Sequence, residues 1–279
     1  AVTAALFNKI PVAHLHGGES TEGAFDEAFR HSITKMSHLH FTATEKYRNR
    51  VIQMGEHPDT VFNVGALGVE SLAKWKLMSQ SELEESINFK FGEKNILITF
   101  HPVTLEESTS RQQFLNLLKA LDDLKNVKFI FTKANADTDG KIINQLIDEY
   151  VEKNSEKAVA FISLGQIRYL SAMHLVDGVV GNSSSGIIEA PSVGVGTVNI
   201  GDRQAGRIKA SSVIDCDPSF DSIKNALLEL ESAEQIIKTE SKKNPYYKEN
   251  TTANIMKILR GSIGDLAVKK IFFDLRIAD

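Results

Sequence analysis

The chain has 279 residues, 42% of them hydrophobic and 24% charged, with a formal net charge of -4. That is enough apolar material for two ordinary domains of about 100–150 residues. The mild acidity excludes bulk attraction to nucleic acid or an anionic membrane but leaves room for a local phosphate site. No apolar run approaches the ~20 residues of a membrane-spanning helix. Cys216 is the single cysteine, which excludes an internal disulfide and fits a reducing, cytoplasmic compartment.

Ala1–Phe7 reads as the end of a helix already under way, with no capping residue and no basic signal-peptide start. The expectation is a domain whose first strands precede this chain. Ile10–Leu15 alternates small and apolar residues into Gly17-Gly18, a short buried strand entering a glycine loop. Phe25, Phe29, Ile33 and Met36 fall on one face of a helix. His38–Ala43 reads as a strand, Glu45–Met54 as a helix stopped by Gly55, and Val61–Val64 as a third strand. Leu67–Leu77 is helical in pattern. A polar stretch with capping-box spacing at Ser81 and Glu84 follows, and a linker is placed over 74–94, closing a first domain at 1–73.

Strands and helices then alternate. Strands are expected at Ile96–Phe100, Val127–Thr132, Val159–Ile162, Gly178–Val180 and Thr197–Ile200, and helices at Glu106–Leu124, Gly140–Lys153, Gln166–Leu175 and Gly186–Val193. Short β-branched strands between helices predict a parallel sheet of five or more strands covered on both faces, over 95–244. Asp221–Glu231 and Thr252–Arg260 read as terminal helices, and 245–279 is expected to return to the first domain.

Four polar clusters carry chemistry. The first is His14–Glu19 followed by Asp26, Glu27, Arg30 and His31. Residues two apart on a strand share a face, so His14 and His16 are expected to point the same way toward the glycine loop. Neighbouring carboxylates and a histidine can divide acid and base work. Equally, Asp26 and Glu27 suit an ordinary first helical turn. A zinc site is disfavoured, because no third ligand sits at a familiar spacing. The second cluster puts His101 at a strand end, pinned by Pro102, where it can protonate or hydrogen-bond a leaving phosphate, or simply bond a backbone carbonyl. The third, Gly181–Gly186 then Glu189, follows a strand and opens a helix. Small residues and hydroxyls there admit a phosphate, and Glu189 can accept ribose hydroxyls, although Ser and Asn also favour a plain capped turn. The fourth holds Arg203 and Arg207 in a glycine-bounded loop suited to an anion.

Together, His14–Glu19, Asp26–Lys35 (DEAFRHSITK), Thr99–Thr104 (TFHPVT), Gly181–Glu189 (GNSSSGIIE), Asn199–Arg207 (NIGDRQAGR) and the minor string Asn244–Tyr246 resemble the hydrolysing UDP-N-acetylglucosamine 2-epimerases of sialic-acid and related nonulosonic-acid pathways. The resemblance covers the chain from end to end. It implies an α/β fold with two Rossmann-like domains in the GT-B arrangement, the first incomplete here. It also implies conversion of a UDP-2-acetamido sugar to the free manno sugar plus UDP, with no cofactor and no metal, by an enzyme expected to be a homo-oligomer. By that analogy Ser183, Ser184 and Gly186 line the phosphate turn, Glu189 meets the ribose, Arg203 the phosphates and Asn135 the uridine side. His101, Asp26, Glu27, His16 and Glu19 surround the sugar. A few relatives carry Glu at the position of His16, and Gly196 stands where relatives tend to have Pro. The family's proposed acid/base Asp lies in a Gly-Asp-Arg segment upstream of the first strand seen here, so these residues alone are expected to bind UDP without turning over. The rival readings are a GT-B glycosyltransferase, a non-hydrolysing epimerase and an inactive UDP-binding fragment.

Overall fold

The computed structural model describes residues 1–22, 26–103, 109–135, 140–264 and 266–275. The expected helix contact at Phe25, the string end at Thr104 and the helix start at Glu106 lie outside them. Of the described residues, one compact unit takes Ala1–Thr21, 26–73 and the chain from Pro245 on, and the other takes Glu22 and Lys74–Asn244. No described helix is long and apolar enough to cross a membrane.

The first unit runs α1 (Val2–Phe7), β1 (Ala13–Leu15), α2 (Asp26–Met36), β2 (Leu39–Thr42), α3 (Glu45–Gln53), β3 (Val61–Asn63) and α4 (Leu67–Lys74). Its three strands are parallel in the order β1-β2-β3. β2 is central and buried throughout, His40 and Thr42 included, and His14 pairs in register with His40. Thr44 caps α3 by accepting from Tyr47 N–H, which satisfies one donor orphaned at the helix start. The apolar stripe expected on α2 is not its buried side. Phe29 is 66% exposed while Thr34 is fully buried, because the polar side chains of α2 find their partners on the glycine loop described below.

The second unit opens on α5 (Gln80–Ile87), inside the stretch read as a linker. Ser79 and Glu82 form its capping box, two residues before the expected pair. Glu84 instead accepts from Gln80, Lys90 and the Phe91 amide. Leu83 and Ile87 join the core beneath the sheet, so this stretch packs as part of the unit. There follow β4 (Lys94–Thr99), α6 (Ser110–Asp122), β5 (Val127–Thr132), α7 (Gly140–Lys153), β6 (Ala158–Phe161), α8 (Gly165–Leu175), β7 (Gly178–Gly181), α9 (Ser184–Ile188), α10 (Ala190–Val193), β8 (Gly196–Ile200), β9 (Val213–Cys216), α11 (Phe220–Leu230) and α12 (Ala233–Glu240). The sheet has six strands, β6-β5-β4-β7-β8-β9, all parallel. One core cluster, centred on Ile98, Phe114, Phe129 and Val180, covers one face, and another, with Leu97, Ile130 and Met173, covers the other.

Strand order turns back between β4 and β7, so the carboxyl ends of these two neighbours border the crevice where open α/β sheets bind ligands. Gly181 ends β7 at φ 135°, and a Cβ there would stand 2.0 Å from the Thr99 carbonyl oxygen. Gly181→Ala is therefore expected to destabilise the unit by at least ~1–3 kcal/mol, read as a lowered denaturation midpoint; an unchanged midpoint would contradict the close approach.

The chain then returns to the first unit. Tyr246 is fully buried with its hydroxyl 2.9 Å from that of Tyr47. α13 (Thr251–Ser262) adds Ile255 to the cluster of Leu39, Phe41 and Val64. Beyond it the tail lies on Gly55, where Phe273 N–H donates to the Gly55 carbonyl, and Lys270 reaches Glu56.

Candidate functional site

In the second unit the polar groups gather at the switch point. The loop after β4 carries His101 and the turn after β7 carries Asn182, and the two are bound side by side. His101 N–H donates to Asn182 Oδ1 at 2.7 Å, and Asn182 Nδ2 donates to the His101 carbonyl at 2.8 Å. The loop after β8 joins them: Arg203 and Gln204 both donate to the Asn182 carbonyl, at 3.1 and 2.9 Å. Residues far apart in sequence thus meet because three parallel strands end together.

The turn itself is built from hydroxyls. Ser183 is the N-cap of α9 and accepts from Ser185 N–H. Tyr169 from α8 lies 2.6 Å from Ser185 Oγ, which lies 2.9 Å from Ser183 Oγ. Thr99 and Thr132 continue the chain of hydroxyls behind it. Burial pushes the Tyr169 phenol up, so it stays a neutral donor. The helix expected over 186–193 is broken at Glu189, between α9 and α10, where Pro191 follows. α9 has only five residues, too few peptide dipoles for much field. An anion here would be held chiefly by the serine hydroxyls, turn amides and Arg203. Gly186 has another reason to be glycine, since a Cβ would meet Thr197 Cγ2 at 2.8 Å. Ser184 is the first residue of α9, and Glu189 is half-buried at its end.

His101 is part-buried, and burial together with the nearby Arg203 charge lowers its pKa to about 4. The imidazole is therefore neutral near pH 7. Its Nδ1 accepts from Asn135 N–H at 3.4 Å, which leaves the ring proton on Nε2 as a donor. Asn135 itself is exposed at the end of β5.

The first unit brings its predicted residues together differently from expectation. β1 ends at Leu15, so strand periodicity does not reach His16, which adopts a left-handed φ of 62°. His16 Nδ1 lies 2.9 Å from the almost fully buried Glu19 carboxylate, while His14 Nδ1 meets Thr34 of α2 at 3.2 Å. The two histidines thus have separate partners. Burial, then the charges of His40, Arg30 and His16, hold His14 down to about 4. Glu27 uses both oxygens on the glycine loop: it accepts from Ser20, Thr21 N–H, His31 and Arg30. Burial pushes its carboxyl up, but the Thr21, Ser20 and His31 bonds outweigh that and lower it. Arg30 also donates to the Glu19 carbonyl and Arg50 to that of Gly18. Gly18 is forced, since a Cβ at its φ of 76° would stand 2.4 Å from the Tyr47 carbonyl. Asp26 is exposed at the first position of α2. Among the described residues no group of three His, Cys, Asp or Glu side chains is placed to hold a metal ion.

Asn182 and Thr99 stand inside the motifs read from the sequence but were given no role of their own there, and Tyr169 carried no local signal.

A family model described as UDP-N-acetylglucosamine 2-epimerase matches residues 1–260. The GDP/UDP-N,N'-diacetylbacillosamine 2-epimerase (hydrolyzing) of Campylobacter jejuni is 44% identical over 229 residues, which are 82% of this chain and 59% of that protein. The polysialic acid biosynthesis protein P7 of Escherichia coli is 40% identical over 267 residues, 94% of this chain and 66% of that one. The chain thus spans less than two thirds of the length of either relative. The UDP-GlcNAc 2-epimerase of Neisseria meningitidis, solved bound to UDP-GlcNAc, superposes with a TM-score of 0.78 at 21% identity, covering 94% of this chain and 72% of that one. That likeness bears out the expected α/β, GT-B-like fold class.

Proposed function

The chain belongs to the UDP-N-acetylglucosamine 2-epimerase family, and from that membership we propose that it serves a hydrolysing 2-epimerase acting on a UDP-2-acetamido sugar. The observation that carries the site assignment is the meeting of the Gly181–Gly186 turn, Arg203 and His101 around Asn182. In this reading the serine turn and Arg203 take the phosphates of UDP, Glu189 the ribose and Asn135 the uridine side. Arg203→Ala is expected to weaken UDP binding by about 1.5–3 kcal/mol, the worth of a charge-assisted hydrogen bond. Calorimetry that finds UDP affinity unchanged would remove Arg203 from the site.

The chemistry is elimination followed by hydration. A base takes the proton on carbon 2 while the anomeric C–O bond breaks and UDP leaves with the electron pair. Water then adds to the glycal, giving the free manno sugar. The carbon-2 proton is weakly acidic, so donors aimed at the departing phosphate matter as much as the base does. His101, neutral with its proton on Nε2, suits that donor role. Among the first-unit candidates Glu27 is engaged by four donors, and His16 is coupled to Glu19. We assign the sugar-facing work to exposed Asp26 and to the His16–Glu19 pair, with Glu27 holding the loop in shape.

The relatives favour the hydrolysing branch and leave two substrates in view, UDP-N-acetylglucosamine and a UDP-linked diacetamido-6-deoxy sugar. We favour a cytoplasmic setting, supported by the lone Cys216, and supply of a sialic or related nonulosonic acid. NMR of products from full-length protein given each sugar is the test. Free manno sugar plus UDP is expected; a UDP-linked epimer, or transfer only when an acceptor is added, would overturn the proposal.

A further inference from the structure

We propose that Asn182 is a positioning residue: its side-chain amide fixes the peptide of His101, and its own carbonyl fixes Arg203, so that one residue sets the leaving-group donor and the phosphate cation in a common frame. The inference rests on the function proposed above for His101 and Arg203.

Asn182 is 1% exposed, so every polar group it carries needs a partner. All four have one. Oδ1 accepts from His101 N–H and Nδ2 donates to the His101 carbonyl. Its backbone N–H donates to the Thr99 carbonyl at 3.1 Å, and its carbonyl accepts from Arg203 and Gln204. The side chain therefore pairs with the His101 peptide as a neighbouring strand would, beyond the point where β4 and β7 have ended. Only a primary amide offers a donor and an acceptor in that geometry. Aspartate keeps the acceptor, loses the donor and sets a carboxylate against the His101 carbonyl. Alanine keeps neither and takes both partners from the part-buried His101 N–H and carbonyl.

The chemistry needs this frame because, among the described residues, the imidazole of His101 is held by one long bond, from the Asn135 amide to Nδ1. Its backbone is what aims Nε2–H. Asn182 reaches Arg203 through a main-chain oxygen, which side-chain replacement leaves in place. Altering the side chain should therefore disturb His101 and spare the phosphate grip.

The test compares Asn182→Asp and Asn182→Ala with the wild type in the full-length enzyme, and follows the ring signals of His101 in the present chain by NMR, assigned with a His101→Gln variant. Asn182→Ala, which removes both bonds without adding a charge, is expected to lower kcat by roughly 30-fold or more, with the Kd for UDP within about threefold of wild type; Asn182→Asp should lower kcat as well, and its carboxylate should also weaken UDP. His101, whose charged neighbour is Arg203, should titrate higher once a carboxylate stands beside it. Unchanged turnover with an unmoved titration would overturn the proposal, as would equal losses in kcat and UDP affinity in Asn182→Ala, which mark Asn182 as ordinary turn structure. If neither variant folds, amide exchange in the wild-type chain decides: a protected His101 N–H supports the clamp, and a freely exchanging one refutes it. Should the wild type lack epimerase activity, the functional reading fails while the His101 titration and exchange still judge the clamp.

Discussion

Replacing His101 by alanine in the full-length enzyme is expected to lower turnover about 10²–10⁴-fold, the usual cost of losing a proton donor or acceptor at a reacting bond, while UDP affinity falls far less. The side chain stands at the end of β4 beside β7, where the sheet order reverses. Burial and Arg203 keep it neutral until about pH 4, and the Asn135 amide leaves its proton on Nε2. In the function proposed above, such a group contributes a hydrogen bond that strengthens as negative charge grows on the departing phosphate, which is a transition-state effect and belongs in kcat. The pH dependence has a definite sign. The folded pKa lies below the ordinary histidine value of about 6.5, so the folded state binds fewer protons between those limits. The associated stability is fully present above about 6.5 and is lost as pH falls toward 4. The acid limb of turnover set by His101 should lie correspondingly low. Near-normal kcat in the variant would make His101 a structural residue and move the donor role elsewhere.

What could be read from the sequence follows how local each signal was. β4, β5, β7 and β8 are short apolar runs whose burial on both faces leaves few alternatives. β9 escaped notice because it is a half-exposed edge strand with Asp215 in its middle. α12 was missed although Ser232 and Gln235 carry a capping spacing that the structure uses. α5 looked like a linker because only Leu83 and Ile87 mark its buried side. On α2 the apolar periodicity was real but did not decide orientation, since Glu27, Arg30 and Thr34 gain part-buried hydrogen bonds with Ser20, Thr21, Glu19 and His14. The motifs marked the three loops that meet at the carboxyl ends of β4, β7 and β8. They did not reveal the clamp from Asn182 to His101, which joins residues 81 apart, nor the left-handed turn at His16, a conformation a non-glycine residue adopts only when its surroundings impose it.

Glu56→Gln is expected to destabilise the present chain by about 3–5 kcal/mol at pH 7, the cost of removing one partner from a buried ionic cluster. Glu56 is 2% exposed and accepts from His40 Nε2 at 3.0 Å, Lys35 Nζ at 2.7 Å and Lys270 Nζ at 2.6 Å. Burial pushes its carboxyl up, but the bonds from His40, Lys270 and Lys35 outweigh that and hold it down to about 2. Lys270 shows the opposite balance, since burial lowers it despite the same contact. The cluster's stability is therefore better assigned to the carboxylate shared by three donors than to any one pair. Lys270 also donates to the carbonyls of Lys35 and Ser37, so the charge at Glu56 adds to the Phe273–Gly55 bond in seating the carboxy-terminal tail. Glutamine keeps the shape and one acceptor but leaves two ammonium groups without a counter-charge. Lys35 is 42% exposed, and water can serve it, so Lys35→Ala should cost no more than about 1 kcal/mol. Because the folded pKa of Glu56 is depressed, its contribution is present above about 4.5 and disappears as pH falls toward 2. Urea denaturation across that range should show the wild-type and Glu56→Gln curves converging as the carboxylate protonates. A gap that stays constant with pH, or one below about 1 kcal/mol at pH 7, would mean that packing and not charge holds the tail in place.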